Sequence, residues 1–127
     1  VHAGILADKD NPEHVRTLDE NSIAPFDLIC VNLYDFAQAS QKTSEVSELV
    51  EEIDIGGPTL LRAGAKNFHS VTVLPDPMFY PGFLEELKNN DFKVSLGFRQ
   101  QMAAFVFDLT SKYDALIAQA MALGRHV

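Results

Sequence analysis

One glycine-containing segment, residues 53–67, holds most of the groups in this chain that are able to do chemistry. Gly56 and Gly57 let the backbone turn freely and approach a ligand closely. A helix that starts behind them would present free N–H groups, which attract anions and polarised oxygens. Asp54 precedes the turn, and Lys66 projects from the predicted helix. The segment therefore predicts a site where a carboxylate, backbone donors and an amine contact one small polar ligand.

The helix behind the turn is predicted over residues 59–67. Pro58 suits the first helical position, because its missing N–H would have no intrahelical partner there. Arg62 and Lys66 stand one turn apart and share one face of this helix. A structural interpretation stays open, since glycines before a helix often form only a turn. The two cations would then simply complement the negative end of the helix.

A second stretch, residues 30–36, places polar groups where a predicted strand ends. Asn32 offers an amide and Tyr34 a phenol directly after an apolar run. These groups strengthen the expectation of a ligand site.

Taken in order, five segments of the chain resemble the IMP cyclohydrolase domain, a family whose members usually form the N-terminal part of a bifunctional enzyme of purine synthesis. The segments are VHAGILA (1–7), VNLYDF (31–36), IDIGGPTLLRAGAKN (53–67), VTVLPDP (71–77) and KYDALIA (112–118). The family usually has proline where Asp35 stands and alanine where Gly64 stands. Neither difference removes a reactive group.

The resemblance also suggests which parts of the family's architecture lie outside the sequence. Family members begin with a phosphate-binding strand and loop, and a lysine-bearing KTLHP segment ends just before the VHAGILA stretch. We therefore expect residues 1–127 to be the C-terminal portion of an IMP cyclohydrolase domain. The upstream phosphate-binding part and any transformylase domain are expected to be absent.

The resemblance implies a reaction and three catalytic residues. The substrate would be formamido-imidazole-carboxamide ribotide, whose carboxamide nitrogen attacks its own formyl carbon to give inosine monophosphate (IMP) and water. Lys66 would donate and accept protons, Asp54 would hold or deprotonate the carboxamide, and Tyr34 would donate a hydrogen bond near the formyl group. Both reacting groups belong to one molecule, so their alignment supplies much of the rate. No cofactor is expected.

Substrate binding is assigned to the same segments. By resemblance, Asn32 and the Val31 backbone would contact the base or ribose, together with Asp54. The backbone N–H groups of Ile55, Gly56 and Gly57 are candidates for an oxyanion hole, because donors must already point at the oxygen that gains charge. Arg62 is expected to be structural and to orient Asp54.

Two apolar, β-branched runs, 26–31 and 70–74, are predicted as strands buried on both faces. Residues 2–7 are expected to supply an edge element. Helical segments alternate with these strands, which indicates an α/β fold with a parallel sheet. We expect a three-layer arrangement of a half-built parallel sheet with flanking helices. The resemblance implies the methylglyoxal-synthase-like variant of this fold.

Cap residues mark the other predicted helices. Asn11 is predicted to cap a helix that ends near residue 21, Thr43 or Ser44 one that ends at residue 53, and Asp76 one that ends at residue 90. Ser95 is predicted to cap the last helix. The apolar stripe after Ser95 continues to Met121, either in one helix or in a second one that starts after Thr110 and Ser111. Residues 38–47 are predicted as the most polar loop.

Composition narrows the partners and the location. The formal net charge of −8 argues against non-specific nucleic-acid binding, and no stretch approaches the length of a membrane span. Cys30 is the only cysteine, and it is predicted to be an inert packing residue of a cytoplasmic protein. No metal site is predicted, because the histidines are scattered at His2, His14, His69 and His126.

Three functions remain open. The first is the cyclohydrolase, with a purine nucleotide precursor and IMP as ligands and, by resemblance, a homodimeric assembly. The second is a non-catalytic module of the same fold that binds a phosphorylated nucleotide. The third is an interacting fragment whose sheet is completed by another segment or chain. The presence of both Asp54 and Lys66 favours the first.

Overall fold

The computed structural model describes residues 1–125, which form seven α-helices, one 3₁₀ turn and two strands. In chain order the elements are α1 (His2–Leu6), α2 (Pro12–Glu20), β1 (Leu28–Cys30), α3 (Phe36–Lys42), α4 (Val46–Glu51), α5 (Gly56–Lys66), β2 (Thr72–Leu74), the 3₁₀ turn (Pro77–Phe79), α6 (Tyr80–Asn89) and α7 (Leu96–Leu123).

The two strands pair in parallel, with Ile29 opposite Val73. On one face of the sheet, α5 packs so closely that a Cβ on Gly64 would lie 2.9 Å from Ile29 Cδ1. Successive side chains of a strand point to opposite faces, and on the other face Cys30 hydrogen-bonds with Tyr80 of α6. The predicted α/β class, with a parallel sheet between flanking helices, is confirmed.

The prediction that both strands are buried on both faces was wrong for β1. Both strands are also shorter than expected, with three residues each. All of β2 is buried, whereas in β1 only Ile29 is buried and Leu28 and Cys30 are exposed. Cys30 is therefore a surface thiol rather than a packing residue. Partial burial raises its pKa, and the hydrogen bond with Tyr80 opposes that rise.

The expected edge element at residues 2–7 is a helix, α1. The side-chain amide of Asn67, which ends α5, donates to the carbonyls of Ile5 (2.7 Å) and Ala7 (2.8 Å). The Phe26 N–H also donates to the Gly4 carbonyl, at 3.1 Å. Because the sequence alone does not reveal these distant partners, the apolar pattern of this segment was assigned to the wrong kind of element.

Local capping chemistry predicted three helices well. The Asn11 side chain caps α2 and Asp76 caps the 3₁₀ turn before α6. Ser95 caps α7, which runs unbroken for 28 residues. Thr110 does not interrupt α7, because it is buried and its hydroxyl donates to the Phe107 carbonyl within the same helix.

Residues 38–47 are not the predicted polar loop, because α3 and the start of α4 occupy much of this stretch. Asp35 caps α3 by accepting the Gln38 N–H at 3.0 Å, and buried Phe36 anchors it. The α4 cap is Glu45 rather than Thr43 or Ser44.

Two apolar clusters hold the elements together. The main cluster joins α1, the sheet, α5 and α7 through Ile5, Ile29, Leu61, Ala63, Ala65, Val71, Val73, Leu74, Met102, Ala103 and Val106. The second cluster consists of Phe36, Leu49 and Tyr113, which come from α3, α4 and α7. This smaller cluster supports the loops that follow β1 and α4.

Replacing Gly64 by alanine tests how tightly α5 packs on the sheet. Alanine favours a helix over glycine by about 1 kcal/mol, but its Cβ would displace Ile29 Cδ1. We expect Gly64→Ala to stabilise the protein by about 1 kcal/mol in an Ile29→Val background, which lacks Cδ1, and by less in the wild type. Denaturant unfolding of the four proteins measures this coupling.

Gly97 provides the control, because no heavy atom lies within 4 Å of a Cβ added there. Gly97→Ala should change the unfolding free energy equally with and without Ile29→Val. An effect of Gly64→Ala that is the same in both backgrounds would contradict the packing described.

Candidate active site

A cleft of about 340 Å³ lies at the carboxyl ends of the two parallel strands. In α/β proteins with open parallel sheets, ligands bind at this edge. The loop after β1 forms one wall, the segment after β2 a second, and α7 the third. The lining residues are Asn32, Leu33, Tyr34, Asp35, Phe36, Ala37, Pro75, Asp76, Pro77, Leu109, Tyr113 and Leu116.

Asp54 joins three elements around this cleft. One carboxylate oxygen accepts the Tyr34 N–H at 3.2 Å, and the other accepts the Gly57 N–H at 2.8 Å. The Asp54 N–H donates to the Tyr113 hydroxyl at 2.8 Å. The side chain thus ties the loop after β1 to the start of α5, and its backbone is tied to α7. We call these four residues the Asp54 clamp.

The clamp explains why glycine stands at position 57. A Cβ on Gly57 would lie 2.6 Å from the Asp54 carboxylate, whereas one on Gly56 would meet nothing within 4 Å. Gly57 is therefore required for close approach, as expected of a glycine turn, but the group that approaches is the protein's own carboxylate. Helix α5 begins at Gly56, so that Pro58 is its third residue and not its first.

Tyr113 was predicted only as part of an apolar helical stripe, and its role in the clamp was missed. It is 7% exposed, and its ring meets Phe36 edge-on at 6.3 Å. Desolvation raises the pKa of its phenol, the bond to the Asp54 backbone opposes that rise, and the Asp54, Asp114 and Glu52 charges add to it. The signal that was available is a tyrosine at a buried helical position, since a buried phenol needs a hydrogen-bond partner.

Two of the residues predicted to follow β1, Asn32 and Tyr34, line the cleft. Tyr34 is 59% exposed, and Asn32 is also exposed. The Val31 N–H donates to the Leu74 carbonyl at 3.2 Å, which extends the strand pairing by one bond. Val31 therefore has only its carbonyl to offer a ligand from its backbone.

The three predicted backbone donors at the start of α5 are not equivalent. The Gly57 N–H is bound to the Asp54 carboxylate. Within residues 1–125, the N–H groups of Ile55 and Gly56 have no protein acceptor. Two of the three donors thus remain available to a ligand.

The two cations of α5 are not close to the clamp. Arg62 lies over the Phe107 ring, 5.4 Å from its centroid, so the expectation that it orients Asp54 was wrong. Lys66 is exposed at the far end of the helix. Its Cα lies about 14 Å along the axis from that of Gly57, given a rise of about 1.5 Å per residue. The structure does not bring Lys66 to Asp54.

The described part of the chain contains neither a metal site that would compete with this cleft nor a membrane-spanning helix. No three His, Cys, Asp or Glu side chains among residues 1–125 are grouped so that they would hold a metal ion. His126 lies outside these residues. Within the same range, no helix combines the length and hydrophobicity that a membrane crossing requires.

Comparisons with known proteins identify the family of the chain. The family model of the AICARFT/IMPCHase bienzyme matches residues 64–126. The bifunctional purine biosynthesis protein PurH of Gloeothece citriformis is 49% identical over 123 residues, which are 96% of this chain and 24% of that protein. The PurH protein of a Clostridium botulinum strain is 46% identical over 93% of this chain and 23% of its own length.

The chain belongs to the AICARFT/IMPCHase bienzyme family. It spans about a quarter of the length of these curated relatives. Its fold matches a solved structure described as the crystal structure of ForH, with a TM-score of 0.85 and 30% identity. That match covers 98% of this chain and 65% of the ForH chain.

Substitutions at the two adjacent glycines test the Asp54 clamp. A Cβ on Gly57 would force the carboxylate off both N–H donors, each bond being worth about 1–3 kcal/mol. Alanine's helix propensity offsets about 1 kcal/mol of the loss. We expect Gly57→Ala to lower the unfolding free energy by about 1–5 kcal/mol in denaturant unfolding.

Gly56→Ala is the matched control, because its Cβ would enter open space. It should leave stability unchanged or raise it. In an Asp54→Ala background, which has no carboxylate to displace, the penalty of Gly57→Ala should vanish. Equal effects of the two alanines in the wild type would show that the clamp is not formed.

Proposed function

We propose that this chain carries the IMP cyclohydrolase function of a purine biosynthesis enzyme. The Asp54 clamp beside a cleft at the carboxyl edge of the sheet is the observation that carries this proposal. Similarity to PurH proteins over nearly the whole chain supports it. The substrate would be formamido-imidazole-carboxamide ribotide and the product IMP.

In the proposed reaction, a C–N bond forms between the carboxamide nitrogen and the formyl carbon. The carboxamide nitrogen loses one proton and the formamido nitrogen loses the other. The formyl oxygen gains both and leaves as water, and a C=N bond from the formamido nitrogen to the formyl carbon replaces the broken C–O bond. Asp54 accepts an N–H of the carboxamide. Each of its oxygens already holds one backbone N–H, and a carboxylate oxygen can accept a further hydrogen bond. The clamp therefore fixes the carboxylate without using up its capacity to accept.

Donors for the formyl oxygen come from the same region. The exposed Tyr34 hydroxyl and the N–H groups of Ile55 and Gly56 are proposed to stabilise the charge that develops on this oxygen. Asn32 and the Val31 carbonyl are proposed to contact the base or ribose. By resemblance, we also propose that the protein is a cytoplasmic homodimer and that the reaction requires no cofactor.

One observation favours the second candidate, a non-catalytic module that binds a phosphorylated nucleotide. Asp54 precedes the start of α5 and Lys66 is the last residue of that helix, so the acid and amine do not meet as a pair. The catalytic role of Lys66 stays a prediction from the resemblance. Lys66→Ala tests it: a role in proton transfer requires turnover to fall by about 10²–10⁴ while stability is retained. Unchanged turnover would remove Lys66 from the mechanism.

Asp54→Asn tests the central assignment. The amide keeps the size of the side chain but cannot act as a base, so we expect turnover to fall by about 10²–10⁴. Asp91→Asn is the matched control. Asp91 is exposed in the turn after α6, and its φ of 55° is one that asparagine adopts as readily. It does not line the cleft, so turnover of this variant should stay close to wild type. The assay follows the purine absorbance that appears on ring closure, and calorimetry measures IMP binding.

The possible outcomes separate the candidates. Wild-type protein that binds IMP without turnover would favour the non-catalytic module. Turnover in Asp54→Asn equal to that of the wild type would overturn the role of Asp54. No heat from folded wild-type protein at millimolar IMP would count against both candidates.

A further inference from the structure

Tyr113 contacts both segments that carry the proposed site. Its hydroxyl accepts the Asp54 N–H, and its ring meets Phe36 edge-on. Phe36 directly follows the loop that carries Tyr34. Through Tyr113, the long helix α7 therefore contacts both the Asp54 backbone and the residue that ends the loop carrying Tyr34.

The burial of Tyr113 determines what the loss of its hydrogen bond would cost in free energy. The side chain is almost fully buried in the cluster with Phe36 and Leu49, and its hydrogen bond to Asp54 is partly buried. The hydroxyl and the Asp54 N–H satisfy each other. Removing the hydroxyl would leave the N–H without its acceptor in a partly buried place, which costs free energy. The loop that carries Asp54 would then be free to shift.

We infer that Tyr113 is a positioning residue of the site, whose hydroxyl holds the Asp54 backbone so that the carboxylate stays on the N–H groups of Tyr34 and Gly57. It acts through Asp54 and is not a catalytic residue itself. Its expected effect on turnover rests on the proposed function. Its effect on the geometry of the clamp does not.

The first test is structural and needs no activity. Tyr113→Phe keeps the ring and its contact with Phe36 but removes the hydroxyl. In NMR-detected hydrogen exchange we expect the amides of Tyr34 and Gly57 to exchange about tenfold faster. Neither amide bonds to the phenol directly, so the change reports the released carboxylate.

Val106→Ala is the control for a general loss of stability. Val106 is a fully buried core residue of the same helix and belongs to the other apolar cluster. Its replacement should speed exchange in the main core without singling out the two clamp amides. Unchanged exchange at both amides in Tyr113→Phe would overturn the inference, as would an equal selective effect in Val106→Ala.

The second test is kinetic and uses a double-mutant cycle. In an active protein, Tyr113→Phe should lower kcat about tenfold, the effect of misplacing one hydrogen-bonded group. It should cause no further loss in an Asp54→Asn background, because the group that it positions has already lost its function. Additive losses would overturn the inference. If the wild type neither binds IMP nor turns over, the proposed function fails, and the exchange experiment alone decides the role of Tyr113.

Discussion

A single carboxylate holds together the part of this molecule where chemistry is proposed. Asp54 accepts one N–H from the loop after β1 and one from the start of α5, and its own N–H is bound by α7. Both strands contribute only three residues, so the sheet alone gives the edge little rigidity. The shape of the cleft therefore depends on this clamp and on the second apolar cluster, which Phe36, Leu49 and Tyr113 form. Gly57 is the sequence feature that permits the clamp, because any side chain there would occupy the place of the carboxylate.

Where an element is specified by neighbouring residues, the sequence was sufficient to predict it. Asn11, Asp76 and Ser95 each cap an element through a bond to an N–H two or three residues away, and such local pairs are visible in a sequence. Helix α1 was predicted as an edge element because its partner, the Asn67 side chain, lies about 60 residues away in sequence. Helix α3 was predicted as a loop because its polar composition concealed the one buried anchor, Phe36.

At the site, too, the sequence predicted some features and did not reveal those that depend on contacts between distant residues. Asp54, Asn32 and Tyr34 were predicted from their spacing and the family resemblance, and the structure places all three at the cleft or at its edge. The sequence did not reveal that the Gly57 N–H is already bound, or that Tyr113 holds Asp54 from a position 59 residues away. It also suggested that Asp54 and Lys66 act on one ligand. The eleven residues of α5 run from the turn after Asp54 to Lys66, so the structure does not bring the two side chains together. The role of Lys66 stays a prediction.

Mapping IMP onto the protein by NMR titration is the measurement that tests the proposed site most directly, because the structure also has a larger groove that offers an alternative place for the ligand. That groove, of about 530 Å³, lies between α2 and the segments on either side of it and contains Lys9 and Arg16. If the Asp54 clamp and its cleft form the nucleotide site, the largest amide shifts on adding IMP will fall in residues 31–36 and 54–57. Shifts confined to the groove around Lys9 and Arg16, with the clamp amides unmoved, would contradict the account.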